Sequence, residues 1–248
     1  MANLVIDIGN SNTKLAVFDQ QKLVHEQQLK EFDQHVLNKL IDNYQVSHAT
    51  VSSVNQEIGE LGVFLAKAVN YIPFSTAITA GIANQYGTRN TLGQDRWAKV
   101  LAVNGLFTGK NCLMIDAGTC ITYDVLTAEK AYFGGSISLG IKMRFEALHH
   151  FTERLPLVTW TREEINIPEG NNTINAIKSG VLQGVINEVE GFISLANKKY
   201  KDLTVIVTGG DADFLNKQLK NSIFASQIIQ EPHLVLKGLN EAIHHHVQ

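Results

Sequence analysis

Two aspartates in this sequence end apolar runs, and the same short series of small residues follows each of them. In "VIDIGNSNTKLAVF", Asp7 precedes a glycine by two positions and a threonine by six, and Asp116 in "LMIDAGTCITYDVL" has both residues at the same offsets. Backbone N–H groups in such a turn can bind an anion, and a carboxylate beside them can hold the accompanying cation directly or through water. One turn alone is equally well explained as a polar hairpin. Two matched turns predict a duplicated unit with a nucleotide phosphate and metal site between the copies.

A third group of reactive side chains lies between these turns, in "YGTRNTLGQDRW" (residues 86–97). Asp95 and Arg96 follow Gly93 where a helix is expected to start, at Asp95 or Arg96. A carboxylate beside an alcohol can accept the proton released in phosphoryl transfer, and an arginine can bind a carboxylate or phosphate through two parallel hydrogen bonds. From the spacing alone, the simpler role of Asp95 as a cap of the helix is slightly favoured.

A glycine pair follows the apolar run of "LTVIVTGG". Gly209 and Gly210 would let the backbone approach a flat ligand such as a nucleoside, and a plain turn between a strand and a helix explains them equally well. The sequence contains neither G-x-x-x-x-G-K-[ST] nor a strand followed by G-x-G-x-x-G. The predicted phosphate site therefore belongs to neither of those types.

We expect neither metal binding nor redox chemistry from the histidines and cysteines. The adjacent histidines at 244–246 point about 100° apart on a helix and cannot converge on one metal ion, so a solvated chain end is favoured. His149 and His150 are expected on a helix surface or at an interface. Cys112 and Cys120 are the only cysteines. We expect them to be buried, reduced thiols of a cytoplasmic protein rather than a redox pair.

Composition narrows the class of protein. The chain has 248 residues, of which 44% are hydrophobic and 18% charged, and its formal net charge is −3. These values are typical of a globular protein with a substantial core. Without a basic block, nucleic acid is an unfavoured partner. Because the sequence shows neither a signal-peptide pattern nor a long apolar run, we expect no membrane insertion and a cytoplasmic location.

The apolar pattern predicts the elements that position these residues. Each Asp-x-Gly turn joins two strands, and further strands are predicted in "FDQQKLVHEQQL", "HATVSSV", "AYFGGSISLG" and "LTVIVTGG". Helices are predicted over "FDQHVLNKLIDNY", "EIGELGVFLAKAV", "GQDRWAKVLAVNGLF", "IKMRFEALHHFTERL" and "NTINAIKSGVLQGVINEVEGFISLANKKY". This order predicts mixed sheets with helices on their faces. We place the boundary in "FTGKN", with an N-terminal lobe over residues 1–110 and a C-terminal lobe over 111–248, the last helix being free to pack across the lobes.

Several segments, in this order and spacing, resemble the type III pantothenate kinase family: "DIGNSNTK", "GQDRW", "DAGTCITYD", "GGSISLGIKMRFEALHHFTERLP" and "NTINAIKSG". The resemblance covers nearly the whole chain, and its most specific element is the pair of Asp-x-Gly turns with G-x-D-R between them. That family phosphorylates pantothenate with ATP at the first step of coenzyme A biosynthesis. It belongs to the superfamily of acetate and sugar kinases, Hsp70 and actin. The resemblance implies an α/β fold of two ribonuclease-H-like (actin-like ATPase) lobes with a cleft between them, and direct in-line transfer.

The resemblance also implies roles for the residues of the two turns. Thr119 would contact ATP, and Asp116 would help to hold a monovalent cation, potassium or ammonium. Mg²⁺ bridging the ATP phosphates is expected from the reaction class. The first phosphate-binding turn would consist of Asp7, Ile8, Gly9, Asn10, Ser11, Asn12, Thr13 and Lys14.

On the acceptor side, the resemblance implies that residues 93–96 surround pantothenate: Gly93, Gln94, Asp95 and Arg96. Asp95 would be the base towards the primary hydroxyl, and Arg96 would point to the carboxylate end. Tyr86 matches a tyrosine that contacts the substrate. Thr173 matches a threonine that reaches pantothenate across a homodimer interface.

The chain departs from the family pattern at two positions and leaves two other functions open. Arg89 and Leu139 stand where many members have proline, and Arg89 could alter the loop over the substrate. A sugar-type kinase of the same superfamily would share both turns. A non-catalytic accessory factor is the third possibility. A pure binding protein would have no chemical need to retain Asp7, Asp95, Arg96, Asp116 and Thr119 together.

Overall fold

The computed structural model describes residues 2–9, 12–29, 33–53 and 58–247. In chain order its strands and helices are β1 (Ala2–Ile8), β2 (Thr13–Asp19), β3 (Lys22–Leu29), α1 (Gln34–Tyr44), β4 (Val46–Ser53), α2 (Gly59–Ala68), β5 (Asn70–Tyr71), β6 (Ala83–Asn84), α3 (Gln94–Leu106), β7 (Cys112–Ala117), β8 (Cys120–Leu126), β9 (Ala131–Leu139), α4 (Ile141–His150), α5 (Thr173–Lys199), β10 (Thr204–Thr208), α6 (Ala212–Leu219), β11 (Ile228–Gln230) and α7 (Leu234–Val247). Short 3-10 turns lie at Arg89–Thr91 and Ala225–Gln227.

These elements form two compact units. The first contains Met1–Thr108, Glu129–Phe133 and His233–Gln248, and the second contains Gly109–Ala128 and Gly134–Pro232. The chain first passes between the units at Thr108 and Gly109, inside the segment "FTGKN". The short stretch at 129–133 and the last helix belong to the first unit. The predicted lobes over 1–110 and 111–248 stay a prediction.

The first unit is built on a sheet with the strand order β3-β2-β1-β4-β5. Its central strand β1 pairs antiparallel with β2 and parallel with β4. The apolar face of α1 covers this sheet, with Leu37 and Leu40 buried and Val36, Ile41 and Tyr44 packed around them. The helix predicted over "FDQHVLNKLIDNY" is thus confirmed for these residues, whereas the first residue of that segment, Phe32, lies outside the described residues.

Helix α7 packs closely on α3 within the first unit. A Cβ atom at Gly238 would lie 1.7 Å from the carbonyl oxygen of Ala98, so only glycine permits this approach. The buried amide of Asn3 in β1 donates to Oδ1 of Asn240 at 2.9 Å. The last helix therefore fixes the back of α3, whose first turn carries Asp95 and Arg96.

The second unit repeats the plan of the first. The sheet that contains its strands has the order β11-β10-β7-β8-β9-β6, and β7 pairs antiparallel with β8 and parallel with β10. The long helix α5 covers this sheet with buried residues every four positions, which is one face of a helix: Ile177, Val181, Val185, Val189 and Ile193. Each unit thus has an Asp-x-Gly hairpin at its centre and a parallel strand beside it. The predicted α/β class and the duplication of the hairpin unit are confirmed.

Two predicted helix bounds are wrong. Helix α3 begins at Gln94, with Gly93 at its N-cap, so Asp95 lies in the first turn and is not the cap residue. Helix α4 was expected to continue to Leu155 but ends at His150. Leu155 precedes a proline, which disfavours helical backbone at that position. The Thr152 hydroxyl instead donates to the Leu148 carbonyl at 2.7 Å and satisfies an acceptor at the helix end.

Candidate functional site

The first Asp-x-Gly turn lies at the carboxyl end of β1. Asp7 is paired with Lys14 and Ile8 with Thr13, which places both ends of the predicted phosphate turn side by side. The Gly9 N–H donates to the carbonyl of Asn12 at 3.1 Å and closes the turn. Asn10 and Ser11, also predicted to contact ATP, lie outside the described residues.

The second turn has a matching construction at the end of β7. Asp116 is paired with Thr122 across the hairpin. The Gly118 N–H donates to the carbonyl of Cys120 at 3.0 Å, and the Gly140 N–H donates to that of Thr119 at 3.1 Å. A Cβ atom at Gly140 would lie 2.3 Å from the carbonyl oxygens of both Gly118 and Thr119. Glycine at this position therefore supports the turn from behind while Thr119 remains exposed.

The glycine pair lies against this second turn within the second unit. Parallel pairing of β10 with β7 sets Thr208 beside Asp116, so both strands end at the same edge. Gly209 has φ +94°, and a Cβ atom there would lie 2.4 Å from Oδ1 of Asp116. The Asp211 N–H donates to the carbonyl of Ala117 at 2.9 Å. The predicted nucleoside turn and the predicted phosphate turn are thus neighbours.

Asp95 is held in the first turn of α3. A Cβ atom at Gly93 would lie 2.6 Å from Oδ1 of Asp95, so the carboxylate folds back over the glycine. The Nζ atom of Lys99 lies 3.5 Å from Oδ2 of Asp95; the lysine side chain is fully buried, whereas that of Asp95 is 31% exposed. A buried cation one helical turn away holds the carboxylate in place while leaving it accessible, which a general base requires.

Arg96 and the predicted substrate tyrosine lie together beside this turn. The Arg96 guanidinium carbon is 5.4 Å from the centre of the Tyr86 ring, a cation–π contact, and Arg96 is buried. The Tyr86 ring also stacks on that of buried Tyr132, with centroids 6.3 Å apart. Arg89 lies exposed in a 3-10 turn close to Tyr86 along the chain.

Gln94 has a supporting position. Its side-chain oxygen accepts from the Ser53 N–H at 3.0 Å, and its amide donates to the carbonyl of Phe74 at 3.4 Å. These bonds tie the start of α3 to the end of β4 and to the backbone at Phe74. Gln94 therefore positions the residues that follow it.

Thr173 is the first residue of α5, and it borders an open groove between α4 and α5 in the second unit. The groove has a volume of about 760 Å³ and is lined mainly by apolar side chains, including Leu139, Phe151 and Ile177. Phe151 is 81% exposed. An apolar groove beside such an exposed aromatic ring is typical of a surface that binds another protein.

A polar network beneath this groove was not predicted from the sequence. Glu188 accepts hydrogen bonds from the Tyr123 hydroxyl at 2.8 Å, the Ser138 hydroxyl at 3.1 Å and the Arg144 guanidinium at 2.6 Å. Burial favours the neutral form of Glu188, but these donors outweigh it and lower the pKa of its carboxyl. Burial raises the pKa of the Tyr123 hydroxyl, and the hydrogen bond to Glu188 raises it further. The Nε atom of Arg144 donates to the carbonyl of Leu139 at 2.9 Å, which anchors the residue before Gly140.

The remaining sequence predictions concern cysteine, histidine and metal chemistry. Burial raises the pKa of the Cys112 thiol to about 12, so this thiol stays protonated. His149 and His150 are exposed on α4, as expected. Among the residues that the structure describes, no group of three or more His, Cys, Asp or Glu side chains could hold a metal ion. Within the same residues, no helix is long and apolar enough to cross a membrane.

The fold is shared with solved structures that include a glucokinase and a dehydratase activator. A ROK family glucokinase from Streptomyces griseus, in complex with glucose and AMPPNP, matches with a TM-score of 0.53 at 10% identity over 98% of each chain. The activator of the 2-hydroxyisocaproyl-CoA dehydratase from Clostridium difficile, with bound ADPNP, matches with a TM-score of 0.53 at 12% identity over 98% of this chain and 92% of the other. At these identities the likeness shows the fold alone, which is the expected sugar-kinase and actin-like ATPase fold.

Sequence similarity defines the family within that fold. The profile of the type III pantothenate kinases matches residues 3–195. The type III pantothenate kinase from Christiangramia forsetii is 40% identical to this chain, over 96% of each sequence. The type III pantothenate kinase from Phocaeicola vulgatus is also 40% identical, over 97% of each sequence. The chain belongs to the type III pantothenate kinase family, and the predicted family and enzyme class are confirmed.

Proposed function

We propose that this protein transfers the γ-phosphoryl group of ATP to the primary hydroxyl of pantothenate, forming 4′-phosphopantothenate for coenzyme A biosynthesis. The observation that carries the proposal is the first turn of α3 in a chain of the pantothenate kinase family: an accessible Asp95 carboxylate is followed by Arg96, whose guanidinium contacts Tyr86. The oxygen of pantothenate attacks phosphorus directly, the bond to the β-phosphate oxygen breaks, and no phosphoenzyme forms.

On the acceptor side, the Asp95 carboxylate takes the proton that the hydroxyl of pantothenate loses as its oxygen bonds to phosphorus. Arg96 binds the carboxylate of pantothenate, an anion suited to a guanidinium fork. Tyr86 holds Arg96 through its ring and contacts the substrate from the same side. Gly93 and Gln94 shape the loop around pantothenate and fix the start of α3.

On the donor side, residues 7–14 and Thr119 bind the ATP phosphates through turn N–H and hydroxyl groups. Mg²⁺, when bound to these phosphates, would neutralise charge that develops during transfer. The half-buried Asp7 carboxylate would hold Mg²⁺ directly or through water, since Mg²⁺ keeps several waters and uses few protein ligands. Asp116, close to the carbonyls of its own turn and to Gly209, is the residue that helps to hold K⁺ or NH4⁺.

We further propose that the protein works as a cytoplasmic homodimer. A second copy covers the apolar groove between α4 and α5, and Thr173 at its rim contacts pantothenate bound by that copy. The groove gives the dimer an apolar contact surface, and the exposed Phe151 provides an aromatic anchor.

The substrate is tested by offering purified protein ATP, Mg²⁺ and K⁺ with pantothenate, with a hexose, or with both, and by identifying the product by mass spectrometry. We expect 4′-phosphopantothenate and no hexose phosphate. A hexose phosphate alone would favour the sugar-type kinase, and ATP binding without any product would favour the accessory factor. Equal rates when Na⁺ replaces K⁺ would contradict a selective cation site at Asp116.

A further inference from the structure

Arg162 lies across Gly210, at the end of β10. A Cβ atom at Gly210 would lie 2.2, 2.7 and 3.1 Å from the Nη2, Cζ and Nη1 atoms of Arg162. Any other residue at this position would displace the guanidinium. The guanidinium of Arg162 therefore occupies space that is open because Gly210 has no side chain.

Asp211 holds this guanidinium in position. The Nε atom of Arg162 donates to Oδ1 of Asp211 at 2.7 Å; the Asp211 side chain is 9% exposed, whereas that of Arg162 is 60% exposed. Burial raises the pKa of the Asp211 carboxyl, and Arg162 opposes that rise. An arginine fixed along one edge by a buried carboxylate keeps an open surface at low entropic cost.

The segment that holds the Arg162 guanidinium packs on the second Asp-x-Gly turn. Gly209 abuts Asp116, and the Asp211 N–H is bonded to the carbonyl of Ala117. All these residues belong to the second unit. A nucleotide whose phosphates occupy the turn at 116–119 would have its base within reach of this planar group.

We propose that Arg162 is the platform on which the base of the bound nucleotide stacks, with Asp211 fixing its plane. This inference rests on the proposed binding of ATP at the 116–119 turn. Guanidinium groups stack on aromatic faces, and such stacking tolerates different bases because every base has a π-face. The platform supplies affinity for a purine ring without selecting adenine over guanine.

Calorimetric titration of MgATP, MgGTP and Mg-tripolyphosphate separates the base from the phosphates. Arg162→Ala should weaken ATP and GTP binding by about 3- to 30-fold and leave tripolyphosphate binding within about twofold. Arg162→Lys should weaken ATP binding similarly, because lysine keeps the charge but lacks the plane. Arg154→Ala, at an exposed arginine in the same segment between α4 and α5, is the matched control and should bind all three probes as wild type does.

Kinetics give a second measurement. The KM for ATP should rise in Arg162→Ala by the factor seen in binding, while kcat and the KM for pantothenate stay unchanged. A loss of tripolyphosphate binding equal to that of ATP, unchanged ATP binding, or tighter ATP binding would each overturn the proposal. Where the alanine variant fails to fold, Arg162→Lys decides by the same comparison.

The two proposals fail in different ways. Wild-type protein that binds ATP and phosphorylates pantothenate, together with an Arg162→Ala variant of equal ATP affinity, would overturn the platform alone. Wild-type protein that binds no nucleotide would overturn the proposed function and the platform with it.

Discussion

The second Asp-x-Gly turn requires a residue without a Cβ atom at Gly140. Gly140 donates its N–H to Thr119, and a Cβ atom there would meet two backbone carbonyl oxygens at 2.3 Å. Backbone cannot yield as a flexible side chain does, so any larger residue must displace the turn. The role of the residue is therefore geometric, and its effect is expected on nucleotide binding.

Gly140→Ala should weaken ATP binding by roughly tenfold or more, because a shift of about 1 Å in a positioned group suffices for such losses. Gly191→Ala is the matched control: it lies in α5 with nothing within 4 Å of the new methyl group. It should keep ATP affinity and raise the free energy of unfolding by about 0.5–1 kcal/mol, since alanine favours helix over glycine. Calorimetric ATP titration of both variants measures the difference, and equal ATP affinity in the two would contradict this account of Gly140.

At the scale of elements, Glu188 joins α5 to β8, β9 and α4 through its three donors. The pKa of its carboxyl is lowered from the ordinary value of 4.5. The charged form of Glu188 therefore stabilises the folded state at pH values above 4.5. That stabilisation is lost as the pH falls through the lowered pKa. The stability of the protein at acid pH should therefore depend on these hydrogen bonds, which hold α4 on α5.

Glu188→Gln should lower the free energy of unfolding by about 1.5–3 kcal/mol at neutral pH, the range for hydrogen bonds to charged groups. The gap between wild type and variant should narrow as the pH is lowered below 4.5, because wild-type Glu188 then becomes neutral as well. Urea unfolding at a series of pH values measures this gap. A gap that stays constant with pH would show that the Glu188 charge does not contribute.

The elements also show which parts of the site were predictable from sequence. Asp7, Asp116 and their glycines could be found because each turn is local and appears twice. The pairing of Asp95 with Lys99 follows helix spacing and could have been found in the same way. The contact of Gly209 with Asp116 could not, because it depends on the parallel pairing of β10 with β7 across many intervening residues.

The helix ends were predictable only in part. Helix α5 starts one residue inside its predicted segment, where Asn172 accepts from the Asn175 N–H at 2.9 Å. Helix α4 stops early although its apolar pattern continues, because Leu155 packs against the core of the second unit from outside the helix. Periodicity records which side chains are buried and does not require that they share one helix.

At the scale of the whole molecule, the proposed dimer makes the groove between α4 and α5 part of the active enzyme. Phe151→Asp should lower the mass in solution from twice 27.4 kDa to 27.4 kDa, because a carboxylate cannot be buried in an apolar interface without a partner. Ile223→Asp is the matched control, since Ile223 is 88% exposed and does not line the groove. Light scattering after size exclusion measures both masses. A monomeric wild type, or a dimeric Phe151→Asp, would contradict the proposed interface.

Asp95 is proposed to accept the proton of the substrate hydroxyl, and the turnover of Asp95→Asn shows whether it does. Asparagine keeps the shape of the side chain and removes its basicity, so kcat should fall by about 10²- to 10⁴-fold while ATP affinity stays unchanged. Asp42→Asn, on the exposed side of α1, is the matched control and should turn over as wild type does. A normal kcat in Asp95→Asn with pantothenate as substrate would contradict the claim.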